Sequence, residues 1–189
     1  MTSFKTQPRS LLPQEFAVIL RNTGWIIFWI QITLAVISGA ILVFALGDPN
    51  FNLKANNFMS GSGLLFAFGG LITLMLGVYW AFRYTRLAEE LSTFEEGIHP
   101  KKSAVIKLLE QGLTINTVGI ILTLLGVEAV VGVLIAKSLT QVEGLTVYNA
   151  SQLIEPLDML VIQANINTIF AQFIGIILPF RLTNRLSHH

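Results

Sequence analysis

The sequence predicts an all-α, polytopic membrane protein with four transmembrane helices, and three observations carry that prediction. No Asp, Glu, Lys, Arg or His lies between Arg21 and Asp48, between Lys54 and Arg83, or between Asp158 and Arg181; between Glu110 and Lys137 the one exception is Glu128. Each stretch is mostly Ile, Leu, Val, Phe, Ala and Gly. Even the shortest, residues 159–180, reaches about 33 Å as a helix, enough for a hydrocarbon core of about 30 Å. The chain is also 53% hydrophobic and only 12% charged, with a mean hydropathy of +0.67. A soluble domain carries about 25% charged residues, and burying four such runs in a water-soluble core would need a far larger protein around them.

The first element is a polar tail, residues 1–24. Within it Leu12, Phe16, Ile19 and Leu20 fall at helical spacing, which predicts a short amphipathic helix lying in the membrane interface. The first span, about 25–46, starts with Trp25 and Trp29, whose amphipathic rings favour the headgroup level. It is too long for a signal-peptide core and lacks a small-residue cleavage site, so a retained helix is expected. No Ser/Arg-rich transit peptide precedes it, which points to a bacterial or an already processed protein. Gly47-Asp48-Pro49-Asn50 marks a stop and turn.

The second span covers about 61–82. Beyond it the pattern turns amphipathic, with Tyr84, Leu87, Leu91 and Phe94 set against Arg86, Glu89, Glu90, Glu95 and Glu96. A helix leaving the membrane is expected, ending at Gly97 before His99-Pro100. Ser103 suits an N-cap for a second amphipathic stretch whose apolar face is Val105, Ile106, Leu108 and Leu109. Residues 83–112 thus form an amphipathic loop leading into the third span, about 113–136. A polar loop with Glu143, Gly144 and Asn149 follows. Pro156 then sits near the start of the fourth span, about 159–180, and residues 181–189 are the C-terminal tail.

Lys and Arg divide unevenly between the two sides. Lys5, Arg9, Arg21, Arg83, Arg86, Lys101, Lys102, Lys107, Arg181 and Arg185 fall on the side of both termini, against Lys54 and Lys137 on the other. By the positive-inside bias, both termini are expected on the cytoplasmic or stromal side.

Composition removes several functions. A net charge of +1 gives no basic field for nucleic acid, and the absence of cysteine removes disulfides and thiolate chemistry together. The histidines are His99, His188 and His189, all outside the spans. No phosphate-binding glycine loop, HExxH or Ser-His-Asp set is present. No enzyme, metal site or cofactor is expected; the acidic run Glu89, Glu90, Glu95, Glu96 reads as a solvated helix face.

The polar residues inside the spans are the candidates for function. An ionised carboxylate near the bilayer centre costs at least about 2.5–3.5 kcal/mol, so Glu128 is expected to face protein or water, or to carry a proton. Its helical face includes Thr117. The pair is either a cation or proton site in a transport pathway, or a structural hydrogen bond from a neutral acid to an amide of the fourth helix. That helix is rich in amides: Gln163 and Asn167 share one face, while Asn165, Thr168 and Gln172 lie nearly opposite. These residues act as helix–helix glue or line a wet cavity, with Gln31 as a lone partner on the first helix. Gly63, Gly70 and Gly77 repeat every seven residues, as do Gly112, Gly119 and Gly126. Such a seam lets helices approach closely. Glu128 lies about 200° around the helix from Gly126, so the acid and the seam meet different neighbours.

Arg21-Asn22-Thr23-Gly24-Trp25, Phe28-Trp29-Ile30-Gln31, Ser38-Gly39, the helix carrying Gly70, Gly77 and Tyr79-Trp80, and its exit Phe82-Arg83-Tyr84-Thr85-Arg86-Leu87 carry a resemblance. The chain resembles, over nearly its whole length, a four-helix family of cyanobacteria and plastids. Its plant members are known as the 21-kDa component of the inner-envelope protein translocon, also described as the chloroplast iron permease. The resemblance implies transport or protein translocation within an oligomer or larger assembly, in the plasma or thylakoid membrane of a cyanobacterium. It supplies no agreed binding residues. The alternative is a non-transporting assembly factor or scaffold that binds partner membrane proteins through its helices. Iron permeation would call for several His, Cys, Met or carboxylate ligands at membrane depth, and this chain offers Glu128, amides and Met75.

Overall fold

The computed structural model describes residues 14–47, 58–92, 102–141 and 156–187, all of them helical. The helices are α1 (Gln14–Gly47), α2 (Phe58–Ser92), α3 (Lys102–Gln141) and α4 (Pro156–Ser187). Each contains a segment long and apolar enough to cross a membrane, and the chain is an integral membrane protein. The expected turn at 48–50, the stop at Gly97 with His99-Pro100, the polar loop at 143–149 and the terminal His188-His189 lie outside the described residues.

The ends of the spans differ from expectation among the described residues. From Gln14 on, the expected interfacial turns continue unbroken into the first span as part of α1, while Leu12 lies outside the described residues. Phe16 and Leu20 are buried in the bundle rather than turned to a bilayer surface. Likewise α3 begins at Lys102, so Ser103 sits in its first turn instead of capping it. The reason is shared. With 34 to 40 residues, α1 and α3 are about 50–60 Å long, well beyond the hydrocarbon thickness. Their apolar faces pair with α2 and α4 past the span. Phe16, Leu20, Tyr84, Ala88, Val105, Leu109, Leu182 and Leu186 form one continuous core there.

At the opposite end a second apolar cluster joins Leu42, Ala45, Leu64, Ala67, Val130, Leu134, Leu157, Val161 and Ala164. Around the small middle cluster of Ala35, Leu74 and Ala171, polar side chains are buried instead: Gln31, Ser38, Asn116, Thr123, Asn165, Thr168 and Gln172. The helices pack around this polar middle, and α2 lies against α3 through the glycines. A Cβ on Gly126 would stand 3.0 Å from Ala67 N and 3.2 Å from Gly63 O, so the two backbones touch. Further along the same seam Gly70 faces Thr123, Gly112 faces Tyr84 and Trp80, and Gly119 faces Thr73 and Gln172. Without a hydrophobic force between helices in lipid, such close approach supplies the attraction through dispersion and short polar contacts.

Candidate functional site

The buried polar middle is built on amides from three helices, Gln31 of α1, Asn116 of α3 and Asn165 and Gln172 of α4. Gln31 of α1 donates from Nε2 to Asn116 Oδ1 of α3 at 2.9 Å and to Ala171 O of α4 at 3.2 Å. Gln172 of α4 crosses to α2, donating to Gly70 O at 3.0 Å and to Thr73 Oγ1 at 3.2 Å. Thr123 of α3 lies 3.5 Å from Gln172 Oε1 and donates to Gly119 O at 2.8 Å. One layer above, Ser38 of α1 donates to Ala164 O of α4 at 2.9 Å.

A proline explains why Asn116 stands where it does. Pro179 lies inside α4 and has no N–H, so the helix leaves the carbonyl of Gly175, four residues earlier, without its usual donor. Asn116 Nδ2 reaches that carbonyl at 3.5 Å while also donating to Gly112 O at 2.8 Å. Neighbouring helices commonly take up the main-chain groups that a proline frees within a membrane. The absence of a side chain at Gly175 matters for the same reason: a Cβ there would stand 2.7 Å from Asn116 Oδ1 and crowd Gln31 Nε2. One acceptor of the cluster, Gln31 Oε1, is buried without a hydrogen-bond partner among the described residues.

The sequence-derived candidates separate into two groups. Gln172 and Asn165 are buried, Asn165 donating to Val161 O of its own helix at 2.9 Å. Gln163 and Asn167 lie on the other side of α4 and bond to each other at 3.0 Å, with Gln163 exposed. Thr117 is exposed and donates to Leu113 O at 2.8 Å. Glu128 is exposed on the outer face of α3, flanked by exposed Ile121, Leu124, Leu125 and Ile135. Among the described residues no amide of α4 bonds to it, because Gly126 turns the opposite side of α3 toward α2. Met75 is also exposed. Thus Glu128, Thr117 and Met75 do not converge inside the helix bundle, and no group of three or more His, Asp or Glu is arranged to hold a metal among the described residues.

Sequence reasoning did not bring forward Asn116, Gly175 and Pro179 as a unit. The signal that could have found them is the Gly-x-x-x-Pro spacing, which marks a carbonyl in need of a donor. An asparagine in another apolar span is the natural supplier.

Comparison with known proteins places the chain. It is 32% identical over 170 residues to "Protein TIC 21, chloroplastic" from Arabidopsis thaliana, a match that covers 86% of this chain and 54% of the relative. The chain therefore spans about half the length of that curated relative. No solved structure matches it significantly. A family profile matches residues 11–187, nearly the entire chain with all four helices, and the protein belongs to the family described as "Protein of unknown function (DUF3611)".

Proposed function

We propose that the protein is a non-enzymatic component of a membrane transport or protein-translocation system, and that it works as an oligomer or within a larger membrane assembly. The observation that carries the reading is the outward position of Glu128. A carboxylate on a lipid-facing helix surface at membrane depth is costly, and a polar partner on another chain removes that cost. A second copy of this chain is the simplest such partner, with α3 as the contact. The interior supports the same reading. The buried amides bond one another and main-chain carbonyls across all four helices, as a joint does, rather than lining an open path. The name of the Arabidopsis relative and the family resemblance read from the sequence support a translocation role. The corresponding location is a cyanobacterial plasma or thylakoid membrane with both termini cytoplasmic.

Iron permeation is the second reading, and Glu128 favours it as well, since adjoining copies would gather several carboxylates at one depth. It requires a site formed between protomers.

The test combines assembly and transport. Glu128→Leu is expected to shift the purified protein from an oligomer toward the monomer in native-size measurements and in-membrane crosslinking. Glu128→Gln, which keeps hydrogen-bonding capacity, should retain much of the association. A wild-type protein that runs strictly as a monomer with no co-purifying partner removes the assembly reading. If Glu128→Gln and Asn165→Ala leave iron uptake into proteoliposomes unchanged, the permease reading fails while the assembly reading stands.

A further inference from the structure

At the Lys/Arg-rich end of the bundle a cavity of about 310 Å³ opens between α1 and α4. Its apolar wall is Ile19, Leu178 and Leu182. Its polar rim is Thr23, Asn184 and two arginines, Arg181 and Arg185, and among the described residues no acidic residue lines it. Arg181 and Arg185 are four residues apart on α4, a spacing that sets both on one face of the helix. Like charges at this spacing repel, and among the described residues no carboxylate lines the cavity to offset them. An anion held between the two guanidiniums relieves that repulsion, and guanidinium forks match phosphate oxygens in pairs.

The cavity is graded along the membrane normal. Leu178 belongs to the uncharged stretch that ends at Phe180, whereas Arg181 and Arg185 follow it. Along α4 the change from Leu178 to the arginines therefore falls where the hydrocarbon core gives way to headgroups. Exposed Phe180 directly precedes Arg181 at the end of that stretch, so an acyl chain has an apolar side chain next to the basic rim. Basic pockets between transmembrane helices on the positive side of a membrane are known hosts of anionic headgroups.

We propose that this cavity is a binding site for an anionic phospholipid. Arg181 and Arg185 hold its phosphate, and the acyl chain runs past Leu178 toward the bilayer centre. Thr23 brings a hydroxyl from α1 to the same rim, so the bound lipid bridges α1 and α4. The site does not depend on the assembly or transport readings.

Native mass spectrometry of the full chain in detergent tests it, with phosphatidylglycerol, phosphatidylcholine and inorganic phosphate titrated separately. Phosphatidylglycerol is expected to bind at least about tenfold more tightly than phosphatidylcholine. The double variant Arg181→Gln/Arg185→Gln should lose that preference, and Arg181→Lys/Arg185→Lys should keep part of it. Arg83→Gln/Arg86→Gln removes two exposed charges at the same end of α2 and should leave it intact. Leu178→Trp fills the cavity while keeping both guanidiniums, and should also release the lipid. Equal binding of both lipids overturns the proposal. So does equal weakening by the α2 and α4 double variants, or retention of phosphatidylglycerol by Leu178→Trp. Inorganic phosphate that binds as tightly as phosphatidylglycerol overturns the lipid assignment in favour of a free-anion site.

Discussion

Gly126→Leu is expected to lower the thermal unfolding midpoint in detergent micelles by several degrees and to loosen α2 from α3. The three atoms nearest a new Cβ there are main chain: Ala67 N at 3.0 Å, Gly63 O at 3.2 Å and Phe66 C at 3.4 Å. None of them can rotate away, so the two helices must separate along the seam. Overpacking of a close contact costs about 1–3 kcal/mol, or more when the backbone has to move. For a chain of this size each kcal/mol corresponds to about 2–4 °C. Separation would also stretch the links from Gln172 to Gly70 and Thr73, coupling the seam to the polar middle. Gly39→Ala is the control. There a Cβ meets only Leu71 Cδ2, at an ordinary 3.6 Å, and alanine is favoured over glycine in a helix interior by about 1 kcal/mol. That variant should match or slightly exceed wild type. An unchanged midpoint for Gly126→Leu would show that α2 and α3 do not approach through this glycine.

Asn116→Leu is expected to destabilise the bundle by about 1–2 kcal/mol, with Gln31→Leu/Asn116→Leu less stable than wild type by no more than the single variant. Asn116 serves three helices at once: it accepts from Gln31 Nε2, donates to Gly112 O, and supplies the donor nearest the Gly175 carbonyl freed by Pro179. Leucine strands two buried groups together, the Gly175 carbonyl and one N–H of Gln31, whose Nε2 keeps only Ala171 O and whose Oε1 already lacks a partner. Removing Gln31 as well deletes one of the stranded groups, and replacing both partners of a hydrogen bond by apolar groups is far cheaper than removing one. A double-mutant cycle read by unfolding in mixed micelles checks this. Strictly additive losses would mean that the two amides do not interact. Restoring an N–H with Pro179→Ala in the Asn116→Leu background should recover part of the loss, because Gly175 then regains its helical donor.

Both predictions concern how the protomer holds together, and they bear on how it works. With the amides engaged in joining helices, the polarity left for partners lies on the surface: Glu128 and Thr117 on α3, and Gln163 with Asn167 on α4. Activity that requires polar groups at membrane depth is therefore expected to depend on association. The cavity beside Arg181 and Arg185 adds a second dependence, on the charge of the surrounding lipid.

Local sequence determined the class of protein, the four spans and the glycine-lined faces on which a helix can be approached closely. Uncharged length against bilayer thickness is a property of each segment alone, and a missing side chain every seven residues marks one face whatever the partner. Even the separation of Glu128 from the glycine seam followed from 100° per residue. What spacing could not supply was the absolute rotation of each helix and the identity of its neighbours. Those depend on contacts between residues far apart in the chain. Gln31 meets Asn116 across 85 residues, and Ser38 meets Ala164 across 126. Amphipathic turns that read as an interfacial helix became the start of α1 because Phe16 and Leu20 found α2, α3 and α4 to pack against. Only the tertiary structure decided that Glu128 faces outward while Gln31, Asn116 and Gln172 face in. In lipid nothing ranks the faces of an apolar helix until another helix's glycines and free carbonyls select one.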